Sequence, residues 1–177
     1  MKSKIIPTNR EVFFEKSEMV VSKSDLSGRV TYANKTFMRM ADYPEQELLG
    51  IQHNLIRHPD MPRGVFYGLW ETLKSGREFF GFVKNIARNG DHYWVFANIT
   101  ADMRDGKAVG YFSVRRPGPP LALKTIEPVY REMLAVEQRA GVASAPQASW
   151  QWLMQQMKDK NTDYEQFVLD LFQQSQA

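Results

Sequence analysis

The chain has 177 residues, 43% of them hydrophobic and 12% aromatic, enough for one folded domain with a real core plus an appendage. Its 23 basic and 20 acidic side chains are interspersed, with no Lys/Arg run of the kind that marks a nucleic-acid interface. The absence of cysteine excludes disulfides, thiolate nucleophiles and cysteine-ligated metal centres. No apolar run approaches a bilayer span, and "MKSKIIPTNREVFFEK" lacks a secretion signal. A cytoplasmic protein without direct membrane insertion is therefore expected.

Residues 1–17 mix charge with Ile5, Ile6, Val12, Phe13 and Phe14 and predict an arm packed onto the domain. Met19–Val21 and Val30–Tyr32 read as short strands around the turn "SDLSG". Asn34 is placed to cap a helix over "KTFMRMADY". Asp42 is expected to cap a second helix, with Pro44 in its first turn and Gly50 as its stop.

Next comes "IRHPDMP", a loop stiffened by two prolines that presents Arg57, His58 and Asp60. In "RGVFYGLWETLKSG", Phe66, Leu69, Trp70 and Leu73 follow helical spacing, and Gly76 ends the helix. Three strands follow: "EFFGFVKNIA" turns at "RNGD" into "HYWVFANITADM", which turns at "RDG" into "AVGYFSVRR". Alternation in the middle strand separates Tyr93, Val95, Ala97 and Ile99 from Trp94, Phe96, Asn98 and Thr100. Both sets are partly apolar, so a sheet covered on both sides is expected.

"RPGPP" at 116–120 marks the clearest boundary. Beyond it, three helices are predicted: one bent or restarted at Pro128, one with Trp150, Leu153, Met154 and Met157 on a face, and one opened by a Thr162–Glu165 capping box. The element order predicts an α+β fold: a five-stranded antiparallel sheet with short helices over one face, plus a C-terminal helical extension. The expected division is an arm over 1–17, a sensor domain over 18–116 and the extension over 117–177.

The run "DLSGRVTYANKTFMRMADYPEQELLG" resembles the opening of a PAS domain. With "HNLIRHPDMP", "LWETLKSG", "FVKNIARNGDHYWV" and "GYFSVR", it is similar to the PAS domain of bacterial aerotaxis receptors, a subfamily that binds FAD non-covalently. The resemblance implies that Arg57, His58 and Asp60 hold the flavin, with Asn34, Trp70 and Asn85 as further pocket positions. An arginine suits a phosphate or the electron-rich side of the ring, an asparagine complements the ring's N–H and C=O edge, and a tryptophan offers an aromatic wall. The implied function is sensing of oxygen or redox state, reported to a separate signalling protein.

Two alternatives stand beside FAD. A haem-binding PAS gas sensor would use His53 or His58 as axial ligand, and a cofactor-free PAS module would act only through contacts. Blue-light adduct chemistry needs a cysteine and is excluded. His53, His58 and His92 show no metal spacing and no catalytic set has supporting context, so neither a metal site nor an enzyme is expected. Trp94 and Phe96, on the outer sheet face, could meet the arm or a second subunit, which leaves a homodimer open.

Overall fold

The computed structural model describes residues 5–176. Strand β1 (Val20–Asp25) returns as β2 (Val30–Ala33) through a turn organised by Asp25. The Asp25 carboxylate accepts from the Ser27 hydroxyl at 2.7 Å and from the Arg29 N–H at 2.9 Å. Helix α1 (Lys35–Ala41) opens on Asn34, whose side chain accepts the Phe37 N–H as expected of an N-cap.

Asp42 does not cap the next helix. It closes α1 instead, in the left-handed conformation with φ 58°, which an aspartate tolerates better than most residues. Helix α2 (Glu45–Leu48) then starts after Pro44, which stands at the cap position with no side-chain bond to offer. A short 3-10 turn over His53–Ile56 leads to helix α3 (Arg63–Lys74).

Strands β3 (Phe79–Ile86), β4 (His92–Arg104) and β5 (Lys107–Pro117) complete the sheet, whose order is β2-β1-β5-β4-β3. The β4–β5 hairpin turns at Asp105 and Gly106, both with positive φ, the geometry that matches strand twist in a two-residue turn. Antiparallel register sets Arg115 opposite Val20 on one side and Ala97 on the other. Directly opposed residues share a face, so Val20, Ser22, Ala97, Ser113 and Arg115 point the same way. Tyr93 through Ala97 are all buried, as expected of a strand covered on both faces. Trp94 and Phe96 are covered within the single chain and need no second subunit for their burial.

The chain divides into two compact units. The first runs to His58 and resumes over Val83–Pro117; it contains β1, β2, α1, α2, most of the sheet and the N-terminal arm. The arm runs beside the start of β4: the Val12 N–H donates to His92 O (2.8 Å), and the His92 N–H to Arg10 O (2.9 Å). At the β3–β4 turn, a Cβ on Gly90 would lie 2.2 Å from the Ile6 carbonyl, so the arm's path requires glycine there. The Asp91 carboxylate fastens the arm through Arg10 and the Thr8 hydroxyl (2.5 Å to the latter).

The second unit comprises Pro59–Phe82 and the residues from Gly118 onward. It includes α3, α4 (Pro120–Arg139), α5 (Ala145–Asp159) and α6 (Tyr164–Gln174). Two details are settled here. Helix α4 continues through Pro128 without restarting; Pro128 is exposed, so the carbonyl it leaves unbonded can turn to water. Helix α6 is capped by Asp163, which accepts the Gln166 N–H at 2.8 Å, rather than by Thr162.

The buried stripe of α3 is also rotated from the predicted one. It follows Gly64, Val65, Gly68, Leu69 and Leu73, and Trp70 is 38% exposed. The two glycines admit α5: a Cβ on Gly68 would lie 2.4 Å from the Trp150 ring, and one on Gly64 would lie 2.1 Å from Ser149 Oγ. Glu137 of α4 receives the Gly64 N–H at 2.8 Å and the Ser149 hydroxyl at 2.6 Å, supplying the anionic cap that Pro62 cannot give α3. Among the described residues, no helix is long and apolar enough to cross a membrane.

Candidate ligand site

Three of the six predicted site residues come together in the first unit. Arg57 forms an isolated antiparallel bridge with Asn85, and the His58 N–H donates to Lys84 O at 3.2 Å, so the loop is hung on β3. His58 is buried, with its ring 5.6 Å edge-on to His92, whereas the Arg57 side chain is exposed. Asn85 is buried at 3% exposure, and among the described residues its Nδ2 has no well-formed hydrogen-bond partner.

Asn34 is occupied locally. Its Oδ1 accepts from the N–H groups of Val21 (3.0 Å) and Phe37 (2.9 Å), and its Nδ2 donates to Met19 O (2.8 Å). That amide ties the start of α1 to β1. Asp60 and Trp70 belong to the second unit; Asp60 is exposed, and Trp70 lies on the solvent-facing side of α3.

A polar cluster missed in the sequence lies on the buried face of the sheet around Arg115. Its Nε donates to Val20 O at 3.2 Å and its Nη2 to Ser22 Oγ at 2.5 Å, while the guanidinium carbon sits 4.6 Å from the Phe37 ring centroid. Nη1 is buried without a partner. Burial lowers the Arg115 pKa to about 10, a change slightly opposed by Tyr93, so the group stays charged at neutral pH.

Ser22 Oγ also lies 3.0 Å from His53 Nε2. Arginine can only donate, so Ser22 accepts from Arg115, and the same hydroxyl is hydrogen-bonded to His53 Nε2. His53 is neutral. Burial, reinforced by the Arg115 charge, drives its pKa down to about 3. Its ring stacks on Phe37 at 5.6 Å, and its Nε2 is not free to ligate a haem iron. Tyr93 is fully buried, its hydroxyl has no well-formed hydrogen bond, and burial raises its pKa.

Asn85 Nδ2, Tyr93 OH and Arg115 Nη1 are thus three buried polar atoms without partners in one unit. Leaving such a group unsatisfied costs about 1–3 kcal/mol, so a cluster of them calls for something to bond. Two of the three can only donate, which suits a ligand edge built of carbonyl oxygens and ring nitrogens. The signal for Arg115 was present in the sequence: in "GYFSVR" it falls in phase with Ser113, on the alternate positions of β5. Tyr93 was likewise placed on a strand face, without a role for its hydroxyl. Among the described residues, no cluster of histidine and carboxylate side chains could hold a metal.

Residues 30–115 match the family model described as the PAS fold. The aerotaxis receptor of Escherichia coli K12 is 44% identical over 116 residues, which are 66% of this chain and 23% of the receptor. A nitrogen fixation regulatory protein of Klebsiella pneumoniae is 29% identical over 103 residues, 58% of this chain and 21% of that protein. The chain therefore spans less than a quarter of either relative. Among solved structures, a light-oxygen-voltage domain studied with a flavin analogue superposes with a TM-score of 0.54 at 21% identity, covering 61% of this chain and 82% of that one, a likeness of fold. Residues 30–115 carry a PAS domain, and the chain is similar over 116 residues to the bacterial aerotaxis receptor.

Proposed function

We propose that the protein is a flavin-binding PAS sensor, with FAD as its cofactor, that reports oxygen or redox state through contacts with a signalling protein. The observation that carries this reading is the buried Asn85 amide, whose Nδ2 makes no well-formed hydrogen bond and has the Tyr93 hydroxyl as its polar neighbour. An amide in that position complements the carbonyl edge of an isoalloxazine ring, and the phenol adds a donor or acceptor next to it. When bound, a flavin supplies reversible electron uptake.

Arg57, on the exposed loop bridged to Asn85, is the residue proposed for the cofactor's phosphates. His58 packs behind that loop, and Asn34 holds α1 against β1 rather than touching the ring. Asp60 and Trp70 complete the motif set carried over from the family resemblance. A change of hydrogen bonding at the ring would be felt at Asn85 and, through the backbone bridge, would reach the Arg57 loop. The proposed receiver is a component of the chemotaxis machinery, by analogy with the aerotaxis receptor's name alone.

The test is cofactor content. Protein purified from cells, or refolded with FAD, is expected to carry one flavin per chain, identified as FAD after acid release. Asn85→Ala is expected to lose it while keeping the far-UV spectrum of the wild type. Full flavin occupancy in Asn85→Ala would remove the support this reading takes from the structure.

A further inference from the structure

Arg115 is a buried cation, and among the described residues no carboxylate balances it. Its hydrogen bonds go to a backbone carbonyl and a serine hydroxyl, its face lies on an aromatic ring, and one nitrogen is left over. Burying a charge without a counter-charge is costly, so the folded protein keeps a site for negative charge on the inner face of its sheet. The titratable groups beside it supply none: Tyr93 is kept protonated by burial, and His53 is neutral. Arg57, which the sequence suggests for this task, is exposed to solvent and poorly placed to act on charge across a low-dielectric interior.

We propose that Arg115, rather than Arg57, is the ring-side counter-charge of the flavin, its Nη1 donating to the ring edge and holding the reduced cofactor as an anion. This rests on the flavin reading above. The bonds to Val20 and Ser22 and the Phe37 ring fix the guanidinium before any ligand arrives, so its charge is preorganised. On reduction, the site takes two electrons from a reduced electron carrier (dithionite in vitro) and one proton, which goes to the flavin's N5. The remaining negative charge would rest at the N1–C2 carbonyl edge, the edge to which Arg115 would donate. Arg115 therefore favours the reduced over the oxidised form and raises the midpoint potential.

The experiment compares full-length wild type, Arg115→Gln, Arg115→Lys and, as a control, Arg116→Gln, which removes an exposed charge from the opposite face of β5. Each is assayed for flavin content and midpoint potential. Arg115→Gln is expected to lower the ratio of reduced to oxidised affinity about tenfold, a potential about 30 mV lower. Arg115→Lys and Arg116→Gln are expected to stay near the wild-type potential. A loaded Arg115→Gln protein at the wild-type potential overturns the proposal, as does an equal fall in Arg116→Gln.

Should Arg115→Gln fail to load, the wild type decides alone. A potential falling by ~30 mV per pH unit reports one proton per two electrons and an anionic product, whereas ~59 mV reports a neutral one and overturns the proposal. A wild type that takes up no flavin overturns the flavin reading, and this inference falls with it.

Discussion

The backbones of Arg57 and Asn85 pair in an isolated antiparallel bridge, while the Asn85 side-chain amide stays buried with its Nδ2 unbonded. The bridge fixes the loop to β3 and leaves the amide available for a ligand. A group left unsatisfied in the unliganded protein weighs against its stability and is recovered on binding. Asn85→Ala is therefore expected to bind FAD at least tenfold more weakly. It is also expected to lose most of the rise in melting temperature that FAD gives the wild type. Thermal melts with and without FAD check this, and an undiminished FAD-dependent rise in the variant would contradict it.

The loop residues make a different prediction. Arg57 and Asp60 are exposed, so truncating either leaves no unfilled space in the core. Arg57→Ala and Asp60→Ala should each keep the fold, to within about 0.5–1 kcal/mol in urea, and lose flavin. If both variants retain full flavin occupancy, the loop has only a structural role.

The strand pairs, the Asn34 cap, the tight turns and the run of buried strand residues were legible because each has a local chemical signature. What escaped the sequence was decided by distant partners. Gly64 and Gly68 carry no hydrophobic weight, yet they let α5 approach α3 and turn that helix so that Trp70 faces outward. Asp42 and Thr162 both have cap chemistry, but a neighbouring position won each time, with Asp42 taken for the left-handed end of α1 and Asp163 capping α6. Arg115 was overlooked because a charged residue at the end of an alternating strand reads as solvent-facing until the register sets it opposite Val20 and Ala97. Of the predicted site, the Arg57–Asn85 pairing is local to the first unit, whereas Asp60 and Trp70 fall in the second.

The glycine contacts predict a stability effect confined to the second unit. A methyl group at Gly64 would meet Ser149 Oγ at 2.1 Å and also the Trp150 N at 2.8 Å and the Pro146 carbonyl at 2.9 Å. Backbone atoms cannot rotate away, so the helices must part. Gly64→Ala should cost about 1–3 kcal/mol in urea denaturation despite alanine's better helix propensity. A neutral or stabilising result would mean that α3 and α5 do not pack this closely.

Two shifted titrations give stability a defined acid limb. His53 is held at about 3, below its usual 6.5, so as pH falls the unfolded chain takes up that proton first. Stability is then fully present above about pH 6.5 and is lost progressively toward pH 3. Asp91 is lowered from 3.8 to about 2, first by its hydrogen bond from Arg10 and then by Thr8, so its contribution to holding the arm is lost between about pH 4 and 2. Urea midpoints measured from pH 7 to pH 4 should fall in the wild type and fall less in His53→Asn. Parallel slopes in the two proteins would contradict the neutral state of His53.

The absorption spectrum of the purified full-length protein tests the central claim most directly. The account predicts the two-band spectrum of an oxidised flavin, bleached by dithionite and restored by air. A haem Soret band, or a colourless protein that takes up no added FAD, would contradict it.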